Sequence, residues 1–107
     1  GLHLGLPICL KTLDAFSSRM VKYQDKENII KQVAVIIDIM EEGEEKHIAE
    51  IYLKIFRRIQ QKGHDFIETE IERIDKLLQG KLSEKKQEQL KEKTKVLNCM
   101  LNAKYKK

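Results

Sequence analysis

YLKIFRRIQQKGHDFIETEIERI, residues 52–74, decides the fold. Its apolar residues recur every three or four positions, stop at Lys62-Gly63, then resume at the same spacing. That period is helical, and an interruption within it joins two helices rather than ending the structure. Glycine after a basic stretch is a helix stop, because it adopts the left-handed backbone at no steric cost. Asp65 follows, with Glu68 three residues later, in the pattern of a capping box that starts a new helix. A stop and a start set back to back predict a tight turn, folding Ile55, Phe56 and Ile59 onto Phe66, Ile71 and Ile74.

The same reading extends outward. Pro7 suits a first helical turn, and Leu10, Leu13, Phe16, Met20 and Val21 share a face, predicting a helix over 7–23. Asp25 is the expected cap of a second helix over 26–41, in which Val35 and Ile39 widen the apolar stripe towards more than one neighbour. Gly43 is expected to end it, and Glu44-Glu45 to begin a third helix over 44–62. The fourth helix spans 66–79 and stops at Gly80. Ser83 caps a fifth over 84–102, whose inward face is Leu90, Thr94, Leu97 and Leu101, with Met100 beside it.

The chain of 107 residues is one domain's worth, with 41% apolar and 36% charged residues, one Pro and no Trp. Such a composition is globular and favours helices. The fold class is therefore all-α, a compact five-helix bundle over 1–107, with a lead-in linker at 1–6 and a frayed tail at 103–107. The expected core is Leu10, Leu13, Phe16, Ile29, Val33, Ile37, Tyr52, Ile55, Phe56, Ile59, Phe66, Ile71, Ile74, Leu78, Leu90 and Leu97. The longest apolar run, Val33–Ile37, falls far short of the about 20 residues of a membrane helix. Gly1 is preceded by no Met and followed by no signal pattern, so we expect an excised domain or processed fragment.

Charge is unevenly spread. Residues 81–107 hold nine Lys against three Glu, whereas the block from Asp38 to Glu50 holds six acids and one Lys. The last helix should thus present a positive surface and the 38–50 region a negative one. Lys85, Lys86, Lys91, Lys93 and Lys95 are the candidate docking residues for an acidic partner. Nucleic acid is the rival ligand, but this helix has no Arg, its nearest aromatic is Tyr105, and Glu84, Glu88 and Glu92 interrupt it. A structural or dimerisation spacer is a third reading.

Catalytic chemistry finds little support. Glu44-x-x-His47-x-x-Glu50 places three ligand types on one face, but a bundle di-metal site needs a second Glu-x-x-His, and the chain has none. Glu70 and Arg73 read as a local ion pair. No nucleophile–base pattern or phosphate loop occurs, so neither an enzyme nor a metal or cofactor is expected. Cys9 and Cys99 stand 90 positions apart without a CxxC. Two buried or half-buried thiols are the first reading, with a disulfide joining the ends as the alternative. Near a helix N-terminus Cys9 is also a candidate reactive thiol, with burial opposing its ionisation.

Tyr52-Leu53-Lys54, Gly63, Phe66, Glu70, Arg73, Leu77-Leu78 and Lys85-Lys86, continued by Leu90 and Val96-Leu97, carry a resemblance. In order and spacing they are similar to the C-terminal helical D domain of the 29-kilodalton endoplasmic-reticulum protein and Windbeutel family, also found in some protein disulfide isomerases. The stretch GLHLGLPICLKTLDAF resembles that family's linker and first helix. Where the family commonly has Asn-Ile-Leu, this chain has Lys95-Val96-Leu97, and no retention tetrapeptide follows Tyr105-Lys106-Lys107. The resemblance implies a non-enzymatic module of the endoplasmic-reticulum lumen. Such a module binds secretory client proteins and an acidic chaperone arm such as that of calnexin or calreticulin. An apolar groove between helices is the expected seat of client segments, as in other amphipathic bundles.

Overall fold

A computed structural model describes residues 9–22, 25–63 and 65–105, the side chains of 21–22 and 104–105 excepted. Five helices follow in order: α1 (Lys11–Lys22), α2 (Lys26–Asp38), α3 (Glu44–Lys62), α4 (Phe66–Leu78) and α5 (Glu84–Tyr105). Among the described residues there is no strand, so the all-α bundle is the observed class. Pro7 and the lead-in linker lie outside the described residues. The tail is helical through Tyr105, three residues beyond the expected end at 102.

The break at Gly63 is a turn. Gly63 has φ +97°, and its N–H donates to the Ile59 carbonyl at 2.7 Å, closing α3. Three residues on, the Phe66 N–H donates back to the Gly63 carbonyl at 3.2 Å. The capping box is not made: Asp65 has helical dihedrals (φ −74°, ψ −7°) and no capping hydrogen bond from its side chain. A side chain reaches the third amide from an extended backbone, and Asp65 is already turning with the helix. Asp25 likewise gives α2 no side-chain cap. Ser83 does cap α5, its Oγ accepting the Lys86 N–H at 3.2 Å.

Two expectations near residue 40 need correction. Gly43 does not end α2; it precedes α3, in an extended mirror-image conformation (φ +154°) open only to glycine. Helix α2 has by then already ended, at Asp38, its last carbonyls taken up by the Ile39 and Met40 amides. Helix α2 does meet more than one neighbour, α1 and α3, but not through Val35 and Ile39, which are 63% and 79% exposed. Ile29, Ile30, Val33 and Ile37 make its buried face, so the widened part of the stripe faces outward.

Helix α5 packs against α1, α3 and α4, while α3 touches every other helix. Tyr52, Phe56, Ile55 and Ile59 of α3 are therefore almost wholly buried, at the centre. Leu10, Phe16, Ile71 and Leu78 of the expected core are half-buried, packed on its outside. Val96, Cys99 and Met100 are buried beside Leu90 and Leu97 because α5 sits between three neighbours and buries more than one face. Thr94 fits this apolar setting by donating its hydroxyl to the Leu90 carbonyl at 2.9 Å.

The ends of the chain are joined. Cys9 and Cys99 form a disulfide, with their Cα atoms 5.6 Å apart. The first reading of two separate thiols is thereby corrected, and Cys9 holds no reactive thiol in this state. Next to it, the Leu10 N–H donates to the Tyr52 hydroxyl at 3.1 Å, and that hydroxyl donates to Asp14 Oδ1 at 2.9 Å. Burial pushes the Tyr52 phenol well above its ordinary range, so it stays a neutral donor. The start of α1 is thus fixed twice, covalently to α5 and by hydrogen bonds to α3.

Candidate functional site

The five candidate lysines do not share one surface. Lys85, Lys91 and Lys95 are exposed on the outer side of α5. Lys86 and Lys93 instead line a groove of about 760 Å³ where α5 runs beside α3. Period explains the division: positions 86, 90 and 93 fall on one helical face, whereas 91 and 95 fall on another.

Helix α3 forms the opposite wall of this groove, with Lys54, Arg57 and Arg58. Arg57 and Arg58 stand in the last two turns of α3, where positive charge offsets the helix dipole. Only the packing of α5 alongside turns them towards a second basic element. The floor is apolar, made of Ile51, Ile55 and Leu90. At one end His47 Nε2 lies 2.8 Å from Glu92 Oε1, joining the two walls. Among the described residues no group of three His, Cys, Asp or Glu is placed to hold a metal ion.

Lys93 is committed elsewhere. Its Nζ lies 2.7 Å from Glu70 Oε2, and Arg73 holds the same carboxylate through Nε and Nη2, both at 2.7 Å. Glu70 is only 5% exposed, and a buried carboxylate persists only when its lone pairs are met. Arg73 foremost and Lys93 after it, working against burial, hold its carboxyl down to about 2. The i,i+3 pair read from sequence is therefore present, but Lys93 makes it a cross-helix tie that spacing along one helix gave no means to find. Lys93 supplies structure first and positive potential second.

With this geometry fixed, similarity to known proteins decides the family. Residues 8–100 match the family described as endoplasmic reticulum protein ERp29, C-terminal domain. The chain belongs to the ERp29 C-terminal domain family. Within the matched span lie all of α2, α3 and α4, the Cys9–Cys99 pair and both walls of the groove. Protein windbeutel of Drosophila melanogaster is 29% identical over 98 residues, covering 90% of this chain and 38% of that protein. Protein disulfide-isomerase 1 of Dictyostelium discoideum is 32% identical over 72 residues, covering 67% of this chain and 20% of that protein. The chain thus spans well under half the length of these relatives.

Proposed function

We propose that this chain is a non-catalytic protein-interaction module of an endoplasmic-reticulum folding or escort chaperone. It binds secretory client proteins and docks a co-chaperone through an acidic arm such as that of calnexin or calreticulin. The observation that carries this reading is the family match over residues 8–100 of a chain whose α3 and α5 walls are rich in Lys and Arg. Opposite charge steers encounter and selects partners by sign. Long-range attraction needs a surplus of cations, not a catalytic arrangement.

The lumenal address has its own support. Disulfides persist in oxidising compartments such as the endoplasmic-reticulum lumen and are rare in the cytosol. The bridge between Cys9 and Cys99 fits the former. None of the described helices is long and apolar enough to cross a membrane.

Titration of the isotope-labelled chain with an acidic chaperone arm, followed by amide shifts, tests the docking half. Shifts along α5 that shrink as salt is added are expected, because exposed charges are screened over about 10 Å at 0.1 M salt. Amides that stay in place throughout α5 at high ligand concentration would remove it. A mobility shift with generic duplex or single-stranded DNA at low salt would instead favour the nucleic-acid reading.

A further inference from the structure

The groove between α3 and α5 has a shape, a charge order and a floor, which together specify more than a positive surface. This inference rests on the acidic-partner reading and refines where and how such a partner binds. We propose that the acidic partner docks in this groove, not along the outer lysines of α5. It enters as an extended segment bearing carboxylates around one aliphatic side chain.

Charge is the first argument. Lys54, Arg57, Arg58 and Lys86 face the groove, and none of them enters an ion pair among the described residues. Four uncompensated cations from two walls converge on one depression, where field lines are focused. The outer lysines Lys85, Lys91 and Lys95 are exposed and spread around the convex side of α5, where each charge is screened by solvent and salt. Arginine also binds carboxylates through two parallel hydrogen bonds, which lysine does not do.

Length is the second argument. From His47 to Gln61, the outermost α3 residues of the lining, a helix rises about 21 Å. An extended chain of about six residues covers that distance. A lone phosphate or a chain-terminal carboxylate would fill only a fraction of it. The floor gives the third argument. Ile51 is only half-buried, and Leu90 lies beneath the cationic rim, so an aliphatic side chain has a dry surface to rest on. Among the described residues no aromatic side chain lines the groove, which leaves the bases of a single strand nothing there to stack on. Among the described residues Glu92 is the one acidic side chain lining the groove, and it sits at the His47 end. The ligand's acidic part therefore lies towards Arg57, Arg58 and Lys86.

Fluorescence anisotropy with labelled acidic decapeptides tests this on the disulfide-bonded chain. One peptide carries a central Leu, a second carries Ser in its place, and a single-stranded DNA matches them in charge. Arg57→Glu with Arg58→Glu is expected to weaken the Leu peptide at least about tenfold, against about threefold for Lys85→Glu, Lys91→Glu and Lys95→Glu together. Glu92→Gln, which removes a repulsive charge, is expected to tighten it about two- to threefold. The Ser peptide is expected to bind about tenfold more weakly than the Leu peptide. Methyl shifts of Ile51 and Leu90 in the unmutated chain read groove entry without any variant. If those methyls stay still while the outer triple abolishes binding, the groove is overturned and the acidic-partner reading stands. If neither peptide binds the unmutated chain, both fall. DNA binding tighter than the Leu peptide overturns the proposal in favour of nucleic acid.

Discussion

Lys93 Nζ of α5 lies 2.7 Å from Glu70 Oε2 of α4, joining two helices through a carboxylate that Arg73 already grips. A helical carboxylate with one exposed neighbour contributes a few tenths of a kcal/mol. Glu70 differs because it is buried and its charge is met from two helices. Removing such a carboxylate strands the cations that face it. The cost is moderated by the exposure of Arg73, whose side chain is 55% accessible.

Stability should therefore depend on pH through Glu70. Its carboxyl is lowered from 4.5 to about 2 in the folded chain. A lowered carboxyl stabilises the fold above its unfolded value, and the contribution is lost as pH falls through the folded one. The shift corresponds to at most about 3 to 4 kcal/mol at neutral pH, before solvent screening reduces it. Glu70→Gln should lose roughly 2 kcal/mol at neutral pH and show a shallower loss of stability between pH 4.5 and 2. Urea unfolding by circular dichroism across that window measures both, and parallel curves for the two proteins would reject the assignment.

The disulfide should dominate thermal stability. It closes a loop of 90 residues, and a cross-link of that span restricts the unfolded chain by about 4 to 5 kcal/mol in the chain-entropy picture. A reductant is expected to lower the melting temperature of the natural chain by ten degrees or more, on the scale of about 4–8 °C per kcal/mol for a domain of this size. Cys9→Ser with Cys99→Ser should melt at the reduced chain's temperature and ignore the reductant. An unchanged melting point on reduction, with two thiols titrated, would show that the bridge contributes nothing.

These two features mark where sequence reading reached and where it stopped. Helix α3 was legible to the residue, because its ends are written locally in Glu44-Glu45 and Lys62-Gly63. Cys99 was only the alternative partner for Cys9, and Lys93 was not foreseen for Glu70, because both lie on α5 and only its packing brings them near. The candidate lysines were found by composition, which counts charges without saying which way they face. Hence Lys93 was grouped with Lys91, and the arginines of α3 were not among the candidates. Val35 and Ile39 were misread for a related reason: periodicity reports an apolar stripe but not the neighbour that covers it.

Gly63 and Gly80 make a matched pair for the turn. Gly63 has φ +97°, where a side chain is strained even though nothing lies within 4 Å of the added Cβ. At Gly80 the added Cβ would meet only the Leu77 carbonyl at 3.5 Å, an ordinary contact. Gly63→Ala should therefore cost about 1–2 kcal/mol, and Gly80→Ala should stay within about 0.5 kcal/mol of the natural chain. Equal losses in chemical denaturation would mean that backbone conformation is not what Gly63 supplies.

Tyr52 tests whether the start of α1 depends on α3. Its hydroxyl accepts the Leu10 N–H and donates to Asp14, so Tyr52→Phe removes an acceptor and a donor while leaving the ring in the core. A loss of about 1–3 kcal/mol is expected, since half-buried polar groups are left short of a partner. The pH dependence follows from the raised phenol: the neutral form is favoured in the folded chain, so its contribution is intact below the ordinary value of 10 and declines as pH rises above it. In alkaline titration monitored at the tyrosinate absorbance, one of the three tyrosines should ionise only when the chain unfolds. In the Phe variant that late step should vanish. Amide exchange separates this from a general loss of stability. Tyr52→Phe should speed exchange at Leu10 more than at Ile59 or Ile74, because the Leu10 amide alone of the three gives up its acceptor. Uniform acceleration at all three would mean that the hydroxyl acts on the whole core and not on the first turn of α1.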